Sequence, residues 1–115
     1  MSSERELIKG STQTLVLAIL RDGPRHGYAI AREIEHRSST DMKFKDGTLY
    51  PALQILEREG CIVGTWEVVD NAPSRKVYTL TPHGQEELAR RTGEWNQFTA
   101  MINRILNNEP QPQNS

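Results

Sequence analysis

The side chains best suited to binding chemistry are concentrated in one short segment, KDGTLYPALQILEREG, from Lys45 to Gly60. Its residues Leu49, Leu53 and Leu56 recur at intervals of four and three, which predicts a helix with one buried side. Hydroxyl and amide groups, which can hydrogen-bond to polar partners, lie on the opposite side. The residues of that side are Thr48, Tyr50, Pro51, Gln54 and Arg58. The first turn of a helix also favours an anion, because its unpaired amides point outward.

The histidines and the cysteine form no catalytic or metal-binding pattern. His26, His36 and His83 are scattered, and none lies at metal-ligand spacing from Cys61 or a carboxylate. The chain contains no nucleophile elbow, phosphate-binding loop or HExxH sequence. We therefore predict a protein that is not an enzyme and that uses neither a metal nor a cofactor. Cys61 is predicted to be a small buried hydrophobe.

Composition narrows the class of protein further. The chain has 115 residues, one cysteine and a formal net charge of -1. A single cysteine excludes an intrachain disulfide, no apolar run is long enough to span a bilayer, and the N-terminus lacks a signal-peptide pattern, so we predict a cytoplasmic protein. Net charge alone does not decide whether a protein binds nucleic acid, because the local distribution matters. Basic residues cluster at Lys43, Lys45, Arg75 and Lys76.

Three helices are predicted in the N-terminal half. The first, STQTLVLAIL, is apolar nearly all round, as expected of a helix buried on more than one side. The second, HGYAIAREIEHRS, begins at His26, and Tyr28 lies on its apolar stripe with Ala31 and Ile34. The third is the segment with Asp46 as its N-cap and Gly60 as its C-cap. Between the last two, MKFK alternates apolar and basic residues and is compatible with a short strand.

The C-terminal half predicts a hairpin and a long helix. CIVGTWEVV and RKVYTLT are rich in β-branched and aromatic residues, and the turn-forming sequence DNAPS separates them. Thr81 and Pro82 then start a helix that is predicted to reach Asn108. Its apolar residues are spaced as in a coiled-coil seam, which predicts packing against a second copy of the chain. They are Leu88, Trp95, Phe98, Ile102 and Ile105.

The order of these elements predicts a mostly α fold with a small β-hairpin, namely a winged helix-turn-helix followed by a long C-terminal dimerisation helix. We assign residues 1–81 to a DNA-binding domain, 82–108 to the dimerisation helix and 109–115 to a disordered tail. In such folds the third helix lies in the DNA major groove, and the hairpin, or wing, supplies a second contact. The predicted DNA-binding residues are Lys43, Lys45, Thr48, Tyr50, Pro51, Gln54, Ser74, Arg75 and Lys76.

The chain resembles the PadR family of bacterial transcriptional regulators over about residues 10 to 106. The matching sequences are GPRHGYAIAREI, DGTLYPALQILEREG and SRKVYTLTPHG, which follow the family's order and spacing. The resemblance implies the short subfamily with one long C-terminal helix. It also implies a homodimeric, mostly repressing regulator that binds a palindromic operator and packs its first and last helices across a two-fold axis. The wing reads APSRKVY, where the family often has GRPRKYY.

Two alternatives stay open. Some members of the family bind flat aromatic compounds between tryptophans of the last helix, so Trp95, with Phe98 and Ile102, forms either an effector pocket or a filled dimer seam. In addition, a winged-helix module can bind protein instead of DNA. The polar side chains of Thr48 and Gln54, together with the basic wing, favour double-stranded DNA. We therefore predict a sequence-specific DNA-binding transcriptional regulator that has no membrane partner.

Overall fold

The computed structural model describes residues 11–38 and 46–108. The described chain folds in the order α1 (Thr12–Arg21), β1 (Arg25–His26), α2 (Gly27–Ser38), α3 (Asp46–Arg58), β2 (Ile62–Glu67), β3 (Arg75–Leu80) and α4 (Pro82–Leu106). Three helices, a hairpin and a long C-terminal helix confirm the predicted winged helix-turn-helix. The strand predicted at residues 42–45 and the tail 109–115 lie outside the described residues.

The hydrophobic core forms around α1, as its nearly continuous apolar sequence predicts. This helix packs against α2, α3, α4 and β3, and Leu17 is fully buried. The leucines of α3 reach the same core at the predicted spacing: Leu49, Leu53 and Leu56 are buried. Cys61 is buried too, which confirms its predicted role, and this burial raises the pKa of its thiol. The core therefore fixes which side of α3 faces outward.

The β-sheet has one strand more than the sequence predicts. β2 and β3 form the expected antiparallel hairpin, and β1 joins the other edge of β3, with His26 opposite Val77. The prediction that His26 starts the second helix is wrong, because α2 begins at Gly27. A strand of two residues shows no periodicity of its own. It forms because β3 offers an unpaired edge next to the start of α2.

The hairpin loop is longer than predicted. β2 ends at Glu67 and β3 begins at Arg75, whereas the first strand was predicted to continue to Val69. Asn71 adopts a φ of 62°, in the left-handed region that asparagine tolerates. The amide of Ala72 donates to the Val69 carbonyl at 3.2 Å. This turn removes residues 68 and 69 from the strand ladder.

The start of α4 is anchored to the end of α3. Thr81 is the N-cap and Pro82 the first helical residue, as predicted. The Thr81 hydroxyl accepts from the Gly84 amide at 3.0 Å and donates to the Gly60 carbonyl at 2.6 Å. A Cβ at Gly84 would overlap the carbonyl oxygen of Cys61, so only glycine permits this approach.

The two halves of α4 have different surroundings. In the first half Leu88 is buried in the core of its own chain, and Arg91 donates to Gln13 of α1 at 3.0 Å and to Glu87 at 2.8 Å. Leu88 is therefore not available to the predicted seam between two copies of α4, because its own chain already buries it. In the second half apolar side chains are exposed: Trp95, Phe98, Ile105 and Leu106. Within the described ranges, no helix is both long and apolar enough to cross a membrane.

Candidate nucleic-acid interface

The outward side of α3 brings together the polar residues that the sequence predicts. Since the leucines face the core, Tyr50, Pro51 and Gln54 are exposed and Thr48 is half-buried. All of them lie in the first nine positions of a helix that begins at Asp46. Pro51 is the sixth residue of the helix and lacks the N–H that would donate to the carbonyl four residues earlier, so it interrupts the helical hydrogen bonds on this side. The described structure thus presents a contiguous polar surface at the N-terminal half of α3.

Tyr50 is supported by the neighbouring helix. A Cβ added at Gly27, the first residue of α2, would lie 3.4 Å from Cε1 of Tyr50 and 3.5 Å from its hydroxyl oxygen. The ring therefore lies against the start of α2 while 43% of the residue remains exposed. This contact holds the Tyr50 side chain at the junction of α2 and α3, the two helices of the helix-turn-helix.

The wing residues lie at the base of the hairpin loop. Arg75 and Lys76 are the first two residues of β3, and Ser74 directly precedes them. The sequence placed all three at the hairpin tip. The longer loop, residues 68–74, ends at Ser74 and extends beyond Arg75 and Lys76. It contains Asp70 and neither lysine nor arginine, so the outermost part of the wing is not basic.

Lys76 is directed toward α3. Its Nζ lies 2.9 Å from Oε1 of Glu57 and 5.4 Å from the centre of the Tyr78 ring. The other carboxylate oxygen of Glu57 accepts from the amide of Gly64 at 3.2 Å. The hydrogen bond to Glu57 raises the pKa of Lys76. In this structure Lys76 is engaged within its own chain, and its predicted contact with DNA stays a prediction.

The described cations divide into those with and those without a carboxylate partner. The paired ones are Arg25, Arg37, Lys76, Arg90 and Arg91. Within the ranges that the structure describes, the others have no carboxylate at ion-pair distance. They are Arg21, Arg32, Arg58, Arg75 and Arg104. Of these, Arg32 lies on α2, Arg58 on α3 and Arg75 on β3. Lys43 and Lys45, predicted to contact DNA, lie outside the described residues.

A second exposed pair, on α2, was missed by the sequence analysis. Tyr28 was assigned to the apolar stripe of the helix, but 68% of it is exposed. Arg32 donates to the Tyr28 hydroxyl at 2.9 Å, and its guanidinium carbon lies 5.5 Å from the ring centre. Tyr28 directly follows Gly27, so this pair borders the Tyr50 surface. The spacing of four residues was readable from the sequence, whereas the exposure of Tyr28 depended on how α2 packs.

The predicted effector or seam residues lie together on α4. Trp95 and Phe98 are each 52% exposed, and their ring centroids are 6.2 Å apart with 42° between the planes. Ile102, one turn further on, is half-buried. Among the residues described, no group of three or more His, Cys, Asp or Glu side chains is placed to hold a metal ion.

Comparison with known proteins agrees with this geometry. Residues 16–90 match the Transcriptional regulator PadR-like family. The chain is similar to a PadR family transcriptional regulator from Eggerthella lenta DSM 2243, with a TM-score of 0.78, 28% identity, and coverage of 88% of this chain and 86% of that one.

Two further relatives are similar in sequence. Transcriptional regulator Rv3488 of Mycobacterium tuberculosis is 32% identical over 84 residues, which are 73% of this chain and 75% of the relative. Negative transcriptional regulator PadR of Bacillus subtilis is 32% identical over 73 residues, 64% of this chain and 40% of the relative.

The matched region runs from α1 into the first part of α4 and so includes the whole helix-turn-helix and the wing. It confirms the resemblance drawn from DGTLYPALQILEREG. Because the family consists of transcriptional regulators, it also confirms that the protein is not an enzyme. The fold and the family match lead to one conclusion: the chain belongs to the PadR-like family of transcriptional regulators.

Proposed function

We propose that the protein is a sequence-specific repressor that binds a palindromic DNA operator as a homodimer. The observation that carries the proposal is the polar outward side of α3, where Tyr50 is held against Gly27. In the major groove, Thr48 and Gln54 would hydrogen-bond to base edges and the Tyr50 hydroxyl to a phosphate. Pro51 would offer an apolar surface to a thymine methyl group.

Positive charge around α3 would supply the phosphate contacts. Arg75, with Ser74 beside it, is exposed and has no carboxylate partner within the described ranges, so we assign the wing contact to it. Lys43 and Lys45 directly precede α3 in the chain and add two further cations. A near-neutral protein can bind DNA in this way, because affinity depends on where the unpaired cations lie and not on the net charge.

The homodimer is supported by the second half of α4. Trp95 and Phe98 are half exposed on one chain, and packing two copies of α4 against each other would remove them from water. A two-fold dimer presents two copies of α3, which matches a palindromic operator with half-sites about one helical turn apart. Repression is proposed because the Bacillus subtilis relative is named a negative regulator. A regulator of this kind would work in the cytoplasm, where the DNA lies.

The same aromatic pair supports an effector site at the dimer interface. Two copies of Trp95 facing each other across a two-fold axis either touch or hold a flat aromatic ligand between them. We propose that such a ligand releases the protein from its operator. The chain has two tryptophans, so Trp66→Phe leaves Trp95 as the sole indole reporter. Saturable quenching by planar aromatic compounds would support the site, and its absence would indicate a filled seam.

Operator binding can be tested by selecting bound sequences from random duplex DNA and measuring affinity across salt concentrations. Tyr50→Phe keeps the ring on Gly27 but removes the hydroxyl, and should weaken binding by about tenfold. Arg75→Gln should weaken binding and lower the slope of log affinity against log salt by about 1. Both variants should melt and dimerise like the wild type. Arg104→Gln, on α4, is the control and should leave the slope unchanged.

The alternative is a winged-helix module that binds another protein. It would keep the fold but have no use for a polar α3 surface flanked by cations without carboxylate partners. Failure to select any sequence, or DNA binding that is independent of salt, would favour this alternative over the repressor.

A further inference from the structure

We infer that Glu57 and Lys76 clamp the wing to α3, the helix proposed to enter the major groove, and that they act as positioning residues for operator binding. The clamp consists of these two side chains and the backbone of Gly64. This inference rests on the proposed DNA-binding function, and it assigns to Lys76 a role other than the predicted contact with DNA.

One carboxylate joins α3 to both strands of the wing. Glu57 is the next-to-last residue of α3, Gly64 is the third residue of β2, and Lys76 is the second residue of β3. Oε1 of Glu57 lies 2.9 Å from Nζ of Lys76, and Oε2 lies 3.2 Å from the Gly64 amide nitrogen. Each oxygen therefore serves a different strand, which constrains both the distance and the rotation of the hairpin relative to α3.

The lysine reaches Glu57 through space that a glycine leaves open. A Cβ at Gly64 would overlap Cε of Lys76 and would lie 3.0 Å from Oε2 of Glu57. The Lys76 ammonium also lies over the ring of Tyr78, which is buried in the core. Only 29% of the Lys76 side chain and 33% of the Glu57 side chain are exposed. The pair is thus packed on several sides, unlike an ordinary surface ion pair.

Beyond the clamp, the outer part of the wing has few further contacts with the rest of the described structure. Thr65, Trp66 and Glu67 of β2 are all exposed, so the core does not cover the outer hairpin. Oε1 of Glu67 lies 3.8 Å from Nε2 of His26, which is too far for a hydrogen bond. A two-stranded ribbon that extends beyond a sheet twists readily and is only marginally stable by itself. Arg75, the proposed phosphate contact, directly precedes Lys76. Holding Lys76 against α3 therefore fixes where Arg75 lies relative to the major-groove contacts.

The two roles open to Lys76 predict opposite effects of Glu57→Gln. If Lys76 contacts a phosphate, removing Glu57's charge frees the lysine and takes away a negative charge near DNA, so binding should tighten. If the clamp positions the wing, binding should weaken although a repulsive charge has gone. Glutamine has the size of glutamate, but its amide NH₂ replaces one of the two acceptors, so it cannot serve Lys76 and Gly64 as the carboxylate does.

The experiment uses the full chain and a duplex selected by the wild-type protein from random DNA. We expect Glu57→Gln and Lys76→Met each to weaken binding about threefold to fivefold, and the double variant to be no weaker than the single ones, since both break one interaction. The slope of log affinity against log salt should be the same for these variants as for the wild type. Hydroxyl-radical footprints should lose protection only at the nucleotides flanking the α3 half-sites. Glu59→Gln, an exposed acid two residues further on, is the control and should not weaken binding.

A measurement without DNA tests the geometry itself. In the free protein, amide hydrogen exchange at Gly64 should be faster in Glu57→Ala, while Lys76→Met should leave that amide protected. The inference would be overturned if Glu57→Gln bound DNA as tightly as the wild type or more tightly. It would also be overturned if Lys76→Met lowered the slope of log affinity against log salt by about 1, because Lys76 would then contact a phosphate. A lower melting temperature of Glu57→Gln or Lys76→Met, together with a loss of protection at all nucleotides of the footprint, would also overturn the inference. If the wild type selects no duplex, the proposed function fails and this role fails with it.

Discussion

Replacing Trp95 by alanine is expected to dissociate the proposed dimer. In the single chain 52% of Trp95 is exposed. A covered aromatic side chain buries about 150–250 Å², so a partner could remove about 100 Å² of each Trp95 from water. At about 25 cal/mol per Å², two copies contribute up to about 5 kcal/mol to association. Losing most of this would raise the dissociation constant by about a thousandfold.

Sedimentation velocity from nanomolar to micromolar protein would measure the shift. Trp66→Ala is the matched control, because Trp66 is 64% exposed but lies on β2, away from α4. It should leave the dissociation constant unchanged. Two results would refute the reasoning: a wild-type protein that stays monomeric at micromolar concentration, or a Trp66→Ala variant that dissociates as readily as Trp95→Ala.

Three other predictions concern packing, pH and charge. Gly84→Ala should lower the free energy of unfolding by about 2 kcal/mol or more, since its Cβ would overlap a backbone carbonyl oxygen. Gly93→Ala, with nothing within 4 Å, should raise it by about 1 kcal/mol; denaturant titrations giving equal effects would contradict the observed packing of α4. Hydrogen bonds from Arg90, which has the larger effect, and from Arg91 lower the pKa of Glu87 from 4.5 to about 2. The stability that this carboxylate adds is therefore present above its ordinary pKa and is lost as the pH falls toward 2. Glu87→Gln should have a lower melting temperature than the wild type at neutral pH, and this difference should disappear as the pH falls toward 2. A difference that stays constant with pH would count against the ion pairs of Glu87 with Arg90 and Arg91. Arg32→Gln should weaken operator binding and lower the salt slope by about 1, and an unchanged slope would place Arg32 away from the DNA.

The predictions that succeeded depended on residues close together in the chain. The leucine spacing of α3, the Thr81 cap and the helix-ending Gly60, which adopts a φ of 79°, each act within one or two turns. Such patterns give the order of elements and therefore the winged helix-turn-helix. The same periodicity predicted which residues of α3 face outward, because the side opposite the buried leucines must face away from the core.

The predictions that failed depended on what lies opposite a residue in space. Leu88 fits a coiled-coil seam by its spacing, but it is buried in the core of its own chain. Tyr28 fits an apolar stripe, but 68% of it is exposed. His26 became part of a strand only because the edge of β3 lies beside it. In each case the residue type was compatible with two environments, and packing selected one.

By itself, the sequence determined the fold, the family and the polar surface of α3, because helix periodicity, capping and turn chemistry are encoded by near neighbours. Pairs three or four residues apart on one helix, such as Arg37 with Glu33, follow from local spacing, but only the tertiary structure decided that Lys76 of the wing is neutralised. Glu57 and Lys76 are 19 positions apart, and they meet because the wing folds back on α3. Coulomb attraction depends on distance in space, which a local pattern of residues does not specify.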